Sequence, residues 1–261
     1  MWLQALSTDT DIRAPEPLLT RDGNFFIESS APGVPETRRC VVMSWIPGSQ
    51  LETSLSEINL HKMGSLFAKL HEHGSRFTPP NGFTTRKMDS IYARGETDLL
   101  FSEACSDAFT ASTKNILRQT DQRVKKTFAH LYRAPQGLQV IHNDLHHGNI
   151  KIYHGRLCPL DFEDTVWGYR VLVFDLALQD LLVVVAPEAF DPLQRAFRVG
   201  YESCGSWPEE YEGHIDTFRA GLLLWVANYV ARFEREFLRE FIDWIAPLFN
   251  RYLETGLIRK A

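Results

Sequence analysis

The 261-residue chain has no pair of cysteines at redox or metal-binding spacing. Cys40, Cys105, Cys158 and Cys204 are scattered, so reduced thiols are the expectation. No apolar run approaches the roughly 18 residues of a membrane span, and the most apolar one, Leu181–Ala186, is far too short. No basic–apolar–small leader opens the chain. Basic blocks are absent as well: 28 Lys and Arg face 33 Asp and Glu, a net charge of −5, which argues against a nucleic-acid-binding face. Internal repeats and low-complexity segments are missing. These absences point to a soluble cytoplasmic protein without nucleic-acid or membrane partners. The residues present, 44% hydrophobic and 12% aromatic, suffice for one large domain or two lobes.

In chain order, Trp2 to Leu6 reads as the end of a helix, broken by Pro15 and Pro17. Phe25–Ser29 and Cys40–Ile46 read as strands, the second stopped by Pro47-Gly48. A linker to Glu52 follows. Met63, Leu66, Phe67 and Leu70 repeat at helical spacing, with Gly74 as the stop. Two helices are expected between Asp98 and Tyr132, closed by Pro135-Gln136-Gly137. An apolar helix is expected from Val173 to Ala186. Two amphipathic helices follow, one carrying Phe218, Leu222, Trp225 and Tyr229, the other Phe237, Phe241, Trp244, Leu248 and Tyr252. Their aromatics read as core more readily than as a substrate wall. Residues 76–110 and the last helices would build any acceptor pocket.

The stretch from Val140 to Ala177, VIHNDLHHGNIKIYHGRLCPLDFEDTVWGYRVLVFDLA, is the densest in chemical side chains. Asn149–Tyr153 and Leu157–Leu160 are short β-prone runs separated by His154-Gly155, a hairpin signal. That register sets Asn149 opposite Leu160 and brings Asp161 to the same open end. Opposed residues lie about 4.5–5.5 Å apart, so Asn149 and Asp161 could share one ion. An amide oxygen and a carboxylate suit Mg²⁺ better than zinc. Asp144, on the loop feeding the hairpin, suits a hydroxyl that must be held and deprotonated.

The neighbouring groups divide. His142, His146 and His147 could form a zinc cluster, but that order leaves the hairpin and its acid unused. His142 reads instead as a buried histidine bonded to the loop backbone, and His146 as a substrate contact or a brace. Asp164 is placed to support the metal site. Asp175 reads as a brace at a helix N-terminus. His71 and His73 read as partners of a helix C-terminus. Glu209, Glu210 and Glu212 read as a solvated charged face.

His142-Asn143-Asp144-Leu145-His146-His147-Gly148-Asn149, followed by Asp161-Phe162-Glu163-Asp164 and Asp175-Leu176-Ala177, resembles the core of the aminoglycoside phosphotransferase and choline kinase-like superfamily. The resemblance implies an α+β, protein kinase-like fold, with residues 1–47 as a partial N-lobe and 48–261 as a helical C-lobe. It implies ATP with its adenine at a hinge near Met43, Ser44, Trp45 and Ile46, Asp144 as base, and Asn149 plus Asp161 as Mg²⁺ ligands. The implied reaction is transfer of the γ-phosphate to a hydroxyl of a small molecule. Asn143 departs from the family's usual glycine, and Glu163 stands where protein kinases carry the glycine of D-F-G. No glycine-rich loop or strand lysine precedes Trp2. This leaves two other expectations open: a nucleotide-binding protein of kinase fold without turnover, and a protein Ser/Thr kinase of the same superfamily.

Overall fold

The computed structural model describes residues 1–105, 108–133 and 136–258. Helix α1 (Trp2–Asp9) buries Trp2 and Leu6 in the hydrophobic core. Strands β1 (Ile27–Ser29) and β2 (Arg38–Cys40) pair antiparallel. The strand expected over Cys40–Ile46 therefore ends where it was expected to begin. Residues 41–46 instead run beside the proline segment, with Leu18 N–H donating to Val42 O and Ser44 N–H to Glu16 O, both at 2.8 Å. Pro15 and Pro17 have no N–H to give, so this pairing cannot become a regular ladder. The expected linker after Pro47 is structured too. Strand β3 (Ser49–Gln50) is followed by a short 3₁₀ turn, Leu51–Ser54, that buries Leu51 completely.

Helix α2 (Glu57–Arg76) starts at Ser56, whose hydroxyl accepts from Asn59 N–H at 3.3 Å. It runs two residues past Gly74. That glycine is a packing residue, because a Cβ there would lie 2.2 Å from Val140 O. Among the described residues, one helix, α3 (Ala111–Leu131), stands where two were expected, and Glu103–Cys105 adds only a short 3₁₀ turn. Pro135, expected to help close it, lies outside the described residues. Strand β4 (Gln139–Ile141) is wholly buried. Strands β5 (Ile150–Tyr153) and β6 (Arg156–Pro159) form the expected hairpin, and β7 (Val166–Gly168) returns to pair with β4.

Helix α4 (Val173–Val184) ends two residues early, before Pro187. Helix α5 (Pro187–Glu202) was not expected at all, and it packs across α2. Helices α6 (His214–Phe233) and α7 (Leu238–Thr255) complete the chain. Buried Phe218, Leu223, Leu224 and Ala227 put α6 at the centre of the helical body, against α3, α4 and α7.

His71 and His73 both make tertiary contacts, and His73 does lie in the last turn of α2. His73 bonds Trp2 Nε1 at 2.9 Å and Asp9 Oδ2 at 3.1 Å, tying α1 to α2. His71 is buried beside the Tyr201 hydroxyl of α5, at 2.9 Å, and burial pushes its pKa down to about 3. It therefore stays neutral in the folded protein while the unfolded chain takes a proton near pH 6.5. Stability is flat above that pH and falls as pH drops from 6.5 toward 3. Each unit costs about 1.4 kcal/mol. At pH 5 the loss should be roughly 2 kcal/mol. Urea unfolding of a His71→Gln variant between pH 6 and 4 should show a slope shallower by one proton; an unchanged slope would refute this origin.

Candidate active site

Two nested pairings build the site. The outer ribbon ends with Ile141 opposite Val166, and the inner hairpin opens with Ile150 opposite Pro159. Residues 142–149 and 160–165 span the gap between them, so each segment is pinned at both ends. Leu160 N–H donates to Asn149 O at 2.8 Å, and Asp161 follows directly on that paired residue. Inside the gap, the His142 ring nitrogen Nε2 meets Leu160 O at 2.7 Å and its ring lies 4.4 Å from that of Phe162. Burial holds His142 down at about 4, so it is a neutral strut between the segments.

Asn149 reaches back to Asp144. Its Nδ2 donates to Asp144 O at 2.9 Å and to Asp144 Oδ2 at 3.0 Å. With the amide nitrogen committed, the amide oxygen is left as the group that could meet a cation. Burial raises the Asp144 pKa, against the opposing pull of His146. Two residues here occupy the left-handed region, Asn143 at φ 57° and Asp161 at φ 58°. Asn and Asp tolerate that conformation better than other side chains. This explains how Asn143 can stand where the resembling family has glycine.

His146 and His147 converge on Asp180 of α4, a residue the motif did not flag. Asp180 Oδ2 lies 2.8 Å from His146 Nδ1 and 3.4 Å from His147 Nε2. Asp180 raises the His146 pKa, whereas burial lowers that of His147. Three ligand-type atoms of His146, His147 and Asp180 fall within 4.8 Å of one another. His142 is not among them, so the three-histidine cluster does not assemble. The signal for Asp180 was an acid inside the most apolar helix of the chain.

A cavity of about 140 Å³ opens beside Asp144. One wall is α6, through Phe218, Leu222 and Trp225; the other is the loop carrying Arg86, Met88 and Glu96. Trp225 thus faces this cavity. Backbone bonds place the loop: Trp167 N–H donates to Arg86 O and Met88 N–H to Trp167 O, both at 2.8 Å. Asn228 of α6 fixes its far end, accepting from Leu99 N–H at 2.7 Å and donating to Thr97 O at 3.0 Å. Asp164 holds Arg86 at 2.7 Å and also pairs with Arg94, so it organises the cavity mouth. Glu96 accepts from Trp225 Nε1 at 2.8 Å. Asp175, third in α4, lines the floor; burial pushes its carboxyl up to about 7, and Oδ1 accepts from Leu176 N–H at 2.7 Å.

The residues expected at a hinge lie against the proline segment and strand β5. Met43 bridges to Pro17, and Ser44 Oγ accepts from Glu16 N–H at 2.9 Å. Ile46 is buried and its carbonyl accepts from Lys151 Nζ at 2.8 Å, while Trp45 is 79% exposed. Among the described residues, no helix is long and apolar enough to cross a membrane.

Solved structures share this fold. A microcompartment-associated aminopropanol kinase superposes with a TM-score of 0.79 at 24% identity, over 99% of this chain and 81% of its own. Amicoumacin kinase hAmiN, in complex with AMP-PNP, Ca²⁺ and amicoumacin, gives 0.72 at 16%, over 94% and 75%. A choline/ethanolamine kinase family protein from Mesorhizobium loti gives 0.57 at 15%, over 93% and 74%. No curated protein matches the sequence. The architecture is thus the α+β, protein kinase-like fold that the motif implied. The model of the phosphotransferase enzyme family, APH, matches residues 1–211, and the chain belongs to that family.

Proposed function

We propose that this protein transfers the γ-phosphoryl group of ATP, with Mg²⁺, to a hydroxyl of a small molecule bound in the cavity beside Asp144. The observation that carries this reading is the Asp144–Asn149–Asp161 arrangement, held by the 3.0 Å bond from Asn149 Nδ2 to Asp144 Oδ2 and the 2.8 Å bond from Leu160 N–H to Asn149 O. Asp144 accepts the proton of the attacking hydroxyl, and its burial makes it a stronger base than an ordinary carboxylate. Asn149 keeps that carboxylate aimed. Its amide oxygen and the Asp161 carboxylate are hard donors that fit Mg²⁺. Mg²⁺ held there would neutralise charge developing on the phosphate oxygens. Asp164 and its two arginines shape the cavity mouth, and His142, His146 and Asp175 brace the surrounding segments. Adenine binds at Met43, Ser44, Trp45 and Ile46. Residues 1–47 then act as the N-lobe part and 48–261 as the C-lobe, in the cytoplasm where ATP is supplied.

Small amino alcohols are the first acceptors to try. One similar structure is an aminopropanol kinase, and the cavity carries Glu96 and Asp175 beside apolar walls. Incubation with Mg-ATP and a panel of amino alcohols should release ADP with one acceptor well above the acceptor-free rate. Calorimetry on the same protein separates the alternatives. Mg-ATP binding without turnover on any acceptor would favour a nucleotide-binding scaffold, and label appearing on protein would favour a protein kinase.

A further inference from the structure

His147 is 3% exposed, yet its imidazole makes no hydrogen bond among the described residues. Its Nδ1 is buried without a partner, and its Nε2 stands 3.4 Å from Asp180 Oδ2, beyond the roughly 2.7–3.2 Å usual for an N–H···O bond. Buried polar groups are nearly always paired, and an unpaired one calls for a reason. His146 Nδ1 reaches the same carboxylate oxygen at 2.8 Å. Nitrogens of two adjacent imidazoles thus converge on one oxygen, and all three atoms lie within 4.8 Å of one another.

The spacing is that of ligands around one small ion. Zn²⁺ holds imidazole nitrogen at about 2.0–2.1 Å and carboxylate oxygen at about 2.0–2.2 Å, in tetrahedral geometry. Neighbouring ligand atoms on such a tetrahedron are about 3.4 Å apart, which is the separation of His147 Nε2 from Asp180 Oδ2. His146 Nδ1 and Asp180 Oδ2 need to part by about 0.6 Å to match, a shift open to a carboxylate whose side chain is 34% exposed. A fourth donor stands nearby. A Cβ on Gly148 would lie 3.2 Å from His146 Nδ1 and 3.7 Å from Glu52 Oε2, so that nitrogen and the Glu52 carboxylate face the same point. Donor type separates this cluster from Asn149 and Asp161, because imidazole suits zinc and its neighbours whereas Mg²⁺ takes oxygen. We propose that His146, His147 and Asp180 form a binding site for a transition-metal dication of the zinc type, with Glu52 or water as the fourth ligand. The ion ties the 142–149 loop to α4 and to the turn Leu51–Ser54. The site does not depend on the phosphotransfer reading, since none of its ligands is a proposed donor to Mg²⁺.

Titration of the full chain with Co²⁺ and then Zn²⁺, after a chelator has stripped it of metal, tests this. Four-coordinate Co²⁺ absorbs strongly in the visible and six-coordinate Co²⁺ weakly. One Co²⁺ per chain should bind with the strong spectrum; one equivalent of Zn²⁺ should bleach it, and a large excess of Mg²⁺ should not. Asp180→Asn, His147→Gln and His146→Gln should each weaken Zn²⁺ by at least tenfold, since even the partners behind a metal's ligands are worth about 10–100-fold. Asp161→Asn, at the proposed Mg²⁺ donors, should bind Zn²⁺ as wild type does. Zn²⁺ should raise the melting temperature of wild type and of Asp161→Asn more than that of the three ligand variants. Those three lie on two elements, so any one that melts cooperatively serves the comparison, and the wild-type spectrum is decisive without them. Unchanged Zn²⁺ affinity in a folded ligand variant would put the ion elsewhere, such as the exposed thiols of Cys40 and Cys204, and overturn the proposal. A weak six-coordinate spectrum, displacement by Mg²⁺ or the absence of one-to-one binding would overturn it as well. Loss of Zn²⁺ binding in Asp161→Asn would assign the ion to the Mg²⁺ donors, with the same result.

Discussion

Asp144→Asn is expected to slow phosphoryl transfer by about 10²–10⁴-fold, the usual contribution of a positioned general base. Asparagine keeps the shape of the side chain and an oxygen able to accept from Asn149 Nδ2, so the 3.0 Å contact that aims residue 144 can survive. What is lost is the ability to take a proton. Affinity for Mg-nucleotide should remain within a factor of about three, because the proposed metal donors Asn149 and Asp161 are untouched. The loss should fall on kcat rather than on the acceptor KM, since a general base acts in the transition state. The measurement is initial-rate kinetics on the acceptor found by the panel, beside calorimetric titration with Mg-ATP. Transfer at the wild-type rate would mean that another group is the base. A parallel loss of nucleotide binding would mean that Asp144 acts mainly by holding Asn149.

The inner hairpin was legible because its information is local. His154-Gly155 marks the turn, and the observed pairs Ile150–Pro159 and Tyr153–Arg156 follow from placing the turn there. The outer ribbon was not legible. Strands β4 and β7 are three residues each and lie far apart in sequence, with the inner hairpin between them. That pairing pins both ends of the candidate site, and no local signal in the sequence points to it. The cavity illustrates the same limit. Arg86 and Arg94 are ordinary surface arginines in sequence, and only the fold shows that both converge on Asp164.

Helix α5 escaped for a different reason. Pro192 inside it reads as a break, at a cost of about 3 kcal/mol in a helix interior. Phe190, Leu193, Phe197 and Tyr201 are buried along one side of the same segment. Each such burial is worth about 1.5–3 kcal/mol, so together they outweigh the proline. Single-residue propensity lost to a tertiary stripe whose partner, α2, lies more than a hundred residues upstream.

The α2–α5 crossing should therefore be the least forgiving place in the body. Gly64 and Gly200 let the two backbones touch. A Cβ on Gly64 would lie 1.9 Å from Phe197 O and 2.7 Å from Tyr201 N; one on Gly200 would lie 1.9 Å from His61 O and 2.6 Å from His61 C. All four atoms are backbone, so no side chain can step aside. Reaching ordinary contact of about 3.5 Å requires the helices to part by roughly 1.5 Å. That opens the contacts of Phe67 with Phe197 and of His71 with Tyr201 across the same seam. Alanine's better helix propensity returns only about 1 kcal/mol, so Gly64→Ala and Gly200→Ala should each cost a net 3 kcal/mol or more. Gly205→Ala is the control, since its Cβ would meet nothing nearer than Ala68 Cβ at 3.9 Å. It should stay within about 0.5 kcal/mol of wild type in urea unfolding. Because both substitutions pry at one seam, the double variant should cost clearly less than the two single costs added together. Strict additivity would mean that each glycine acts locally, and near-wild-type stability of either single variant would mean that the helices do not cross this closely.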